Sequence, residues 1–279
     1  MEIRELRCFV AVAEELHFGK AAQRLGIAQP PLSRTISRLE RRLGTALLER
    51  TSRKVTLTAA GAVLLAEGRE ILSAVAAAER RTQRAAEAHP SVVLAVKSGT
   101  GGELLTKLLD AYAAEPGAAT VDLLVCEAHQ HRQLLREGQA DVALLHLPFD
   151  SATGLDTETL STEGQVAILP ASHPLALRSQ VRMADVTALP ELPMARWPGP
   201  GGGYPEGPGA EVRNLTQLFQ LIALGRTTVV IPESAGADLR RDLAAVRVLD
   251  APPVTTVIAW PPHSRLRAVA DLVRVATLL

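Results

Sequence analysis

QPPLSRTISRLERRLG, residues 29–44, is the stretch from which the rest of the chain is read. Leu32, Ile36, Leu39 and Leu43 recur at helical period and form one apolar stripe. Pro30 and Pro31 suit a first helical turn, where a missing N–H costs nothing, and Gly44 suits the position just past a helix end. Ser33, Arg34, Ser37, Arg38, Arg41 and Arg42 project away from the stripe. A short helix with Gln and Ser at its start and Arg along its length carries the groups that read base edges and hold phosphates. A solvated charged face has the same pattern, so the flanking sequence must decide.

Upstream, Ile3, Leu6, Phe9, Val10, Ala13 and Leu16 predict an amphipathic helix ending near His17. Phe18 reads as an apolar staple ahead of a shorter helix from about Gly19 to Leu25, with Ala21, Ala22 and Leu25 inward. Gly26 to Ala28 leaves a tight turn before Gln29, so the second and third helices read as a helix-turn-helix. Downstream, Val55 and Leu57 alternate with Lys54 and Thr56 in a short hairpin, a wing with Arg50, Arg53 and Lys54 at its tip. Residues 1–58 hold eleven Lys and Arg against six Glu, while the whole chain has a formal net charge of zero. A basic head on an acidic body points to a polyanion partner for the head alone.

Phe18, Ala21-Ala22, Leu25, Gln29-Pro30, Leu32-Ser33-Arg34, Ile36, Leu39-Glu40, Leu43-Gly44, Leu47, Glu49-Arg50, Arg53, Leu57-Thr58 and Ala60-Gly61 together resemble the head of the LysR-type transcriptional regulators. Leu48 stands where that family usually has Phe. The strings LHFGKAAQRL and IAQPPLSR are also similar to the branch that controls aromatic-compound catabolism. The resemblance implies base-edge contacts from Gln29, Pro30, Pro31 and Arg34, phosphate contacts from Ser33, Ser37 and Arg38, and a wing role for Arg53. Each Arg has the fork geometry for guanine or phosphate.

From Ala59 to about Ala88 the chain lacks proline and reads as one long helix. Leu64, Ile71, Val75 and Ala78 lie on a narrow stripe suited to pairing with another helix, and the resemblance implies an antiparallel dimer linker, hence a homodimer or homotetramer. His89-Pro90 closes this segment. The expected division is a winged helix-turn-helix over 1–58, a linker helix over 59–89, one lobe over 90–160 and 254–279, and a second over 161–253.

The body reads as α/β. Val92 to Val96 is an apolar strand, Ser98 to Gly102 a glycine-rich turn, and Leu104, Leu105, Leu108 and Leu109 mark a helix. A strand at Val121 to Val125, a helix at Gln130 to Arg136 and a strand at Asp141 to Leu147 follow, and this alternation predicts a parallel sheet. Leu134-Leu135, Gly138 and Asp141 to Leu144 are echoed by Leu221-Ile222, Gly225 and Thr228 to Ile231, with Pro148 and Pro232 just after. Two α/β lobes with a ligand crevice at strand C-terminal ends are implied. The arrangement resembles the two-lobed effector domain shared with periplasmic binding proteins. Ser98, Gly99 and Thr100 suit an anion, and Ser98 and Thr100 equally suit helix capping; His129, Gln130, His146, Arg196 and Pro232 are further pocket candidates. The chain has Ala128-His129 where relatives place a hydroxyl residue, and RWPGPGGGYPEGPGA, residues 196–210, replaces most of a family helix and shortens the second lobe.

No lysine–hydroxyl pair follows these glycines, and neither metal-ligand spacing nor a nucleophile elbow appears, so no catalytic residue, metal or cofactor is predicted. Cys8 and Cys126 lie far apart and fit a reducing compartment. No apolar run approaches a membrane span, and the first residues lack a signal-peptide pattern, so the expected location is the cytoplasm. The expected function is DNA-binding transcriptional regulation tuned by a small anionic metabolite, a carboxylate or aromatic acid. A DNA-binding architectural dimer with no effector is the alternative, ahead of an enzyme built on the body.

Overall fold

The apolar stripe of residues 29–44 becomes the floor of a helical head. The computed structural model describes residues 1–50, 54–85, 91–97, 102–127, 129–199, 203–237, 239–262 and 264–279. Its first elements are α1 (Ile3–Glu15), α2 (Phe18–Arg24), α3 (Gln29–Leu43), β1 (Leu48–Arg50), β2 (Val55–Leu57) and α4 (Ala59–Ala85). Leu32, Ile36 and Leu39 are fully buried against Phe9, Val12, Ala21 and Ala22, whereas Leu43, in the last turn of α3, is 43% exposed. Leu16 ends α1 in the left-handed region, and the His17 ring accepts from the Lys20 amide to start α2. Phe18 therefore opens α2 rather than preceding it.

The wing is anchored to α3 by one side chain. Glu40 accepts hydrogen bonds from the amides of Leu47 and Leu48 and from the Arg50 guanidinium. β1 and β2 pair antiparallel, Leu48 opposite Leu57 and Arg50 opposite Val55. At Gly61, in the first turn of α4, a Cβ would lie 2.0 Å from the Leu47 carbonyl oxygen, so glycine is what lets α4 lie against the wing. Leu64, Leu65 and Leu72 of α4 extend the head core. Val63 and Ile71 on the same helix remain exposed.

The chain divides into two compact units, Met1–Thr82 with Arg136–Gly138 and Gln83–Leu135 with Gln139–Leu279. The second unit continues with β3 (Ser91–Lys97), α5 (Gly102–Ala113), β4 (Thr120–Cys126), α6 (His131–Arg136), β5 (Val142–Leu147), β6 (Asp156–Glu163) and β7 (Gln165–Pro170). It is completed by β8 (Gln180–Val181), α7 (Met183–Thr187), α8 (Leu215–Ala223), β9 (Val229–Pro232), β10 (Leu243–Val248), β11 (Val254–Trp260) and α9 (Arg267–Ala276).

Among the described residues the strands of this unit form two sheets, ordered β4-β3-β5-β11-β6 and β8-β10-β7-β9. In the first, β4, β3 and β5 are parallel as the βα alternation predicts; β11 returns from the second lobe and pairs antiparallel with β5 and β6. In the second sheet β8 and β10 pair parallel, but the central strand does not follow that pattern. There β7 pairs antiparallel with both β9 and β10, although α8, Gly225 and β9 repeat the helix–glycine–strand unit of α6, Gly138 and β5. The chain changes sheets at Gly164, beyond the expected Ser161, and returns between Val248 and Val254.

Candidate functional sites

On α3 the predicted readers Gln29, Pro30, Pro31, Arg34, Ser37 and Arg38 are exposed and Ser33 is half-buried. They lie on the face opposite the buried leucines, so the helix offers a polar, cationic surface from its first turn onward. Lys54 is exposed next to β2, and Arg53 lies outside the described residues. Arg50, predicted at the wing tip, turns back into the head: its guanidinium lies 2.7 Å from Glu40 Oε2 and 4.8 Å from the centre of the Phe18 ring. Arg42 likewise turns from the expected outer face to an ion pair with the buried Glu5.

In the second unit, a cavity of about 620 Å³ opens between the two sheets. The first lobe contributes Lys97 at the end of β3, Val125, Cys126 and Glu127 at the end of β4, His129, and His146, Phe149 and Asp150 at the end of β5. The second contributes Met194, Trp197, the first turn of α8 and the strand β9 as far as Pro232. Strand C-terminal ends thus form the floor, as expected for an open α/β sheet. The walls are largely apolar and the volume suits a small metabolite.

The floor is a cluster of buried ionisable groups. Lys97 Nζ donates to Asp150 Oδ2 at 2.8 Å, and the His146 amide donates to the same oxygen at 2.8 Å. His131 Nδ1 lies 4.0 Å from Asp150 Oδ1, and His146 Nδ1 lies 4.0 Å from Asp150 Oδ2. Neither imidazole Nδ1 has a hydrogen-bond partner among the described residues, nor has Asp150 Oδ1. Burial lowers His131 to about 4 despite the attraction of Asp150. Burial and the Lys97 ammonium lower His146 to about 4 against the same attraction. Burial alone would raise the Asp150 carboxyl, but Lys97 and the His146 amide hold it below its ordinary value. Burial, then Asp150, push the Cys126 thiol up to about 11, which keeps it protonated and unreactive at neutral pH.

Of the pocket candidates, His129, His146 and Pro232 line the cavity. Gln130 accepts from the Glu127 amide at 2.9 Å and holds the turn into α6. Ser98, Gly99 and Thr100 lie outside the described residues. Arg196 is spent on the Gly/Pro loop: Nε donates to the Gly209 carbonyl, Nη1 to that of Pro205, and Nη2 to Glu211. Gly209 is required there, because a Cβ would fall 1.7 Å from the Met194 carbonyl oxygen. The sequence reading missed Lys97, His131 and Asp150. Lys97 had a usable signal, as the first charge after an apolar strand.

Among the described residues no helix is long and apolar enough to cross a membrane, and no group of three or more His, Cys, Asp and Glu is placed to hold a metal ion. Residues 3–62 match the family described as bacterial regulatory helix-turn-helix protein, lysR family. Residues 85–277 match the LysR substrate binding domain. The chain belongs to the LysR family.

Within the LysR family, the transcriptional regulator AlsR of Bacillus subtilis is 35% identical over 201 residues, 71% of this chain and 66% of that protein. YnfL of Escherichia coli is 38% identical over 68% of this chain and 64% of its own length. The chain spans about two thirds of the length of these two relatives. IlvR of Caulobacter vibrioides is 31% identical over 99% of this chain and 98% of its own. Full-length BenM has a TM-score of 0.53 at 28% identity, covering 100% of this chain and 96% of that one. CbnR, a LysR family transcriptional regulator, has a TM-score of 0.62 at 24% identity over 99% and 98%, a likeness of fold alone.

Proposed function

We propose that this chain is a sequence-specific transcriptional regulator that binds double-stranded DNA as a homodimer or homotetramer and answers to a small molecule held between its two lobes. The observation that carries the reading is the exposed face of α3, where Gln29, Pro30, Pro31 and Arg34 sit at the helix start and Ser37 and Arg38 follow. In a major groove this order gives base-edge contacts first and phosphate contacts next, with Ser33 beside them and Arg53 and Lys54 on the wing. Relatives named as transcriptional regulators, and a CbnR structure in complex with its target DNA, support this reading.

The functional division follows: head 1–58, linker 59–89, first lobe 90–160 with 254–279, and second lobe 161–253. Exposed Val63 and Ile71 on α4 favour pairing with a second copy, which doubles the phosphate contacts of one head. An effector changes regulation by binding two quaternary arrangements unequally. Such a regulator works in the cytoplasm, beside its DNA. Selection of random-sequence duplexes by the full-length protein tests this: an interrupted palindrome with half-sites whole helical turns apart is expected, and no enriched sequence refutes it.

A further inference from the structure

Val125, Phe149, Met194, Trp197, Leu215 and Ile231 give the cavity apolar walls, so its chemistry is concentrated on the floor. The lining described holds one cation, Lys97, whose ammonium is already engaged with Asp150, itself 7% exposed. With neutral imidazoles beside it, this pair is electrically closed, and the Glu127 carboxylate in the same lining adds a negative charge. An acid entering adds an uncompensated buried negative charge, which a low-dielectric site strongly disfavours. One source of compensation is built in. His146 and His131 each place an Nδ1 with no hydrogen-bond partner among the described residues 4.0 Å from a carboxylate oxygen of Asp150, and His146 itself lines the cavity at 2% exposure.

We propose that the cavity takes up a small acid with an apolar body together with one proton, which lodges on the His146–Asp150–His131 cluster. This rests on reading the cavity as the effector site. The proton comes from solvent and adds to an imidazole nitrogen; the ligand stays a carboxylate and no covalent bond changes. The imidazolium then lies between the ligand anion and Asp150, and the cavity gains no net charge.

The groups facing His146 set the sign. Lys97 on β3 and His131 on α6 oppose its protonation, and Asp150 after β5 favours it. Cys126 and Glu127 end β4, His129 and His131 begin the α6 segment, and Thr256 faces it across the β5–β11 ladder. The residues described on the second-lobe wall carry no titratable side chain. An arriving carboxylate is therefore the added charge that tips the balance toward the imidazolium.

The test uses the full-length protein with benzoate, phenylacetate and hexanoate, each beside its neutral amide, at pH 6, 7 and 8. Thermal shift identifies binders, and isothermal titration in two buffers of different ionisation heat counts protons. At least one acid is expected to bind with a dissociation constant that tightens about tenfold per unit fall in pH, as uptake of one proton requires. Its amide should show no such trend. His146→Gln should flatten the dependence, and the wild-type proton count stands as the readout if that variant does not fold. Acid affinity that is equal at pH 6 and 8, with no proton taken up, overturns the coupling and leaves the effector reading intact. Binding of amides without acids overturns the ligand class alone. Absence of any binding at every pH overturns both the proposal and the effector reading beneath it.

Discussion

Arg34 and Arg38 stand in solvent on α3, while Lys97 and Asp150 form the floor of a cavity with side chains 15% and 3% exposed. On the proposed function the head addresses a partner that is itself a rod of charge, so its cations remain hydrated until they meet it and their attraction is screened by salt. On the same reading the body distinguishes one small molecule from others, and burial makes each of its charges count for more. The same residue types therefore serve affinity in one region and discrimination in the other.

Breaking the buried pair should give the largest effect. Asp150→Ala removes the carboxylate that the Lys97 ammonium and the His146 amide share and should cost about 3–5 kcal/mol in urea unfolding, while Lys97→Met with Asp150→Leu should recover most of it. A loss under about 1 kcal/mol would mean that this floor is wet, like the head surface.

Acid should expose the next difference. His131 and His146 stand at about 4 in the folded chain against an ordinary 6.5, so the unfolded chain takes protons first as pH falls. Stability should thus be full above pH 6.5, decline toward pH 4 and level off below it, by at most about 3 kcal/mol per imidazole. Asp150, held low, adds a loss of the same sign at still lower pH. Urea midpoints at pH 7 and pH 5 check this. His146→Asn should reduce the difference; an unchanged difference would assign the acid sensitivity elsewhere.

In the head the expected effects are on binding. Arg34→Ala should cost about 1–3 kcal/mol of DNA affinity and relax one base position, whereas Arg38→Ala should weaken all sequences alike and lower the salt slope by about one. Unchanged discrimination in Arg34→Ala would remove its base contact. The smallest effect belongs to Arg50, held by Glu40 and Phe18. Arg50→Ala should cost about 1 kcal/mol of head stability with the salt slope intact. A slope lower by about one would return Arg50 to the phosphates.

The head was legible because its signals are local. Leu32, Ile36 and Leu39 repeat at helical period, and Pro30, Gly26 and Gly44 mark the ends. The Glu40 and Phe18 contacts of Arg50 were not legible, because a cation on a hairpin reads alike whether it meets phosphate or a carboxylate. The first lobe was legible in its βα alternation, but the second was not. β7, β9 and β10 pair across long separations, and β8 is two residues long. The cavity floor was the least legible. Lys97, His131, His146 and Asp150 are single residues that meet because β3 and β5 run side by side and the chain turns back after β5. Arg196 reads equally as a ligand contact and as the clasp of a Gly/Pro loop.

The central claim is that the exposed face of α3 reads sequence. Its most direct test is fluorescence anisotropy of the full-length protein on its selected duplex and on a scrambled duplex of equal length at physiological salt. The account predicts a preference of about a thousandfold or more for the selected sequence. Equal affinity for the two duplexes would contradict it.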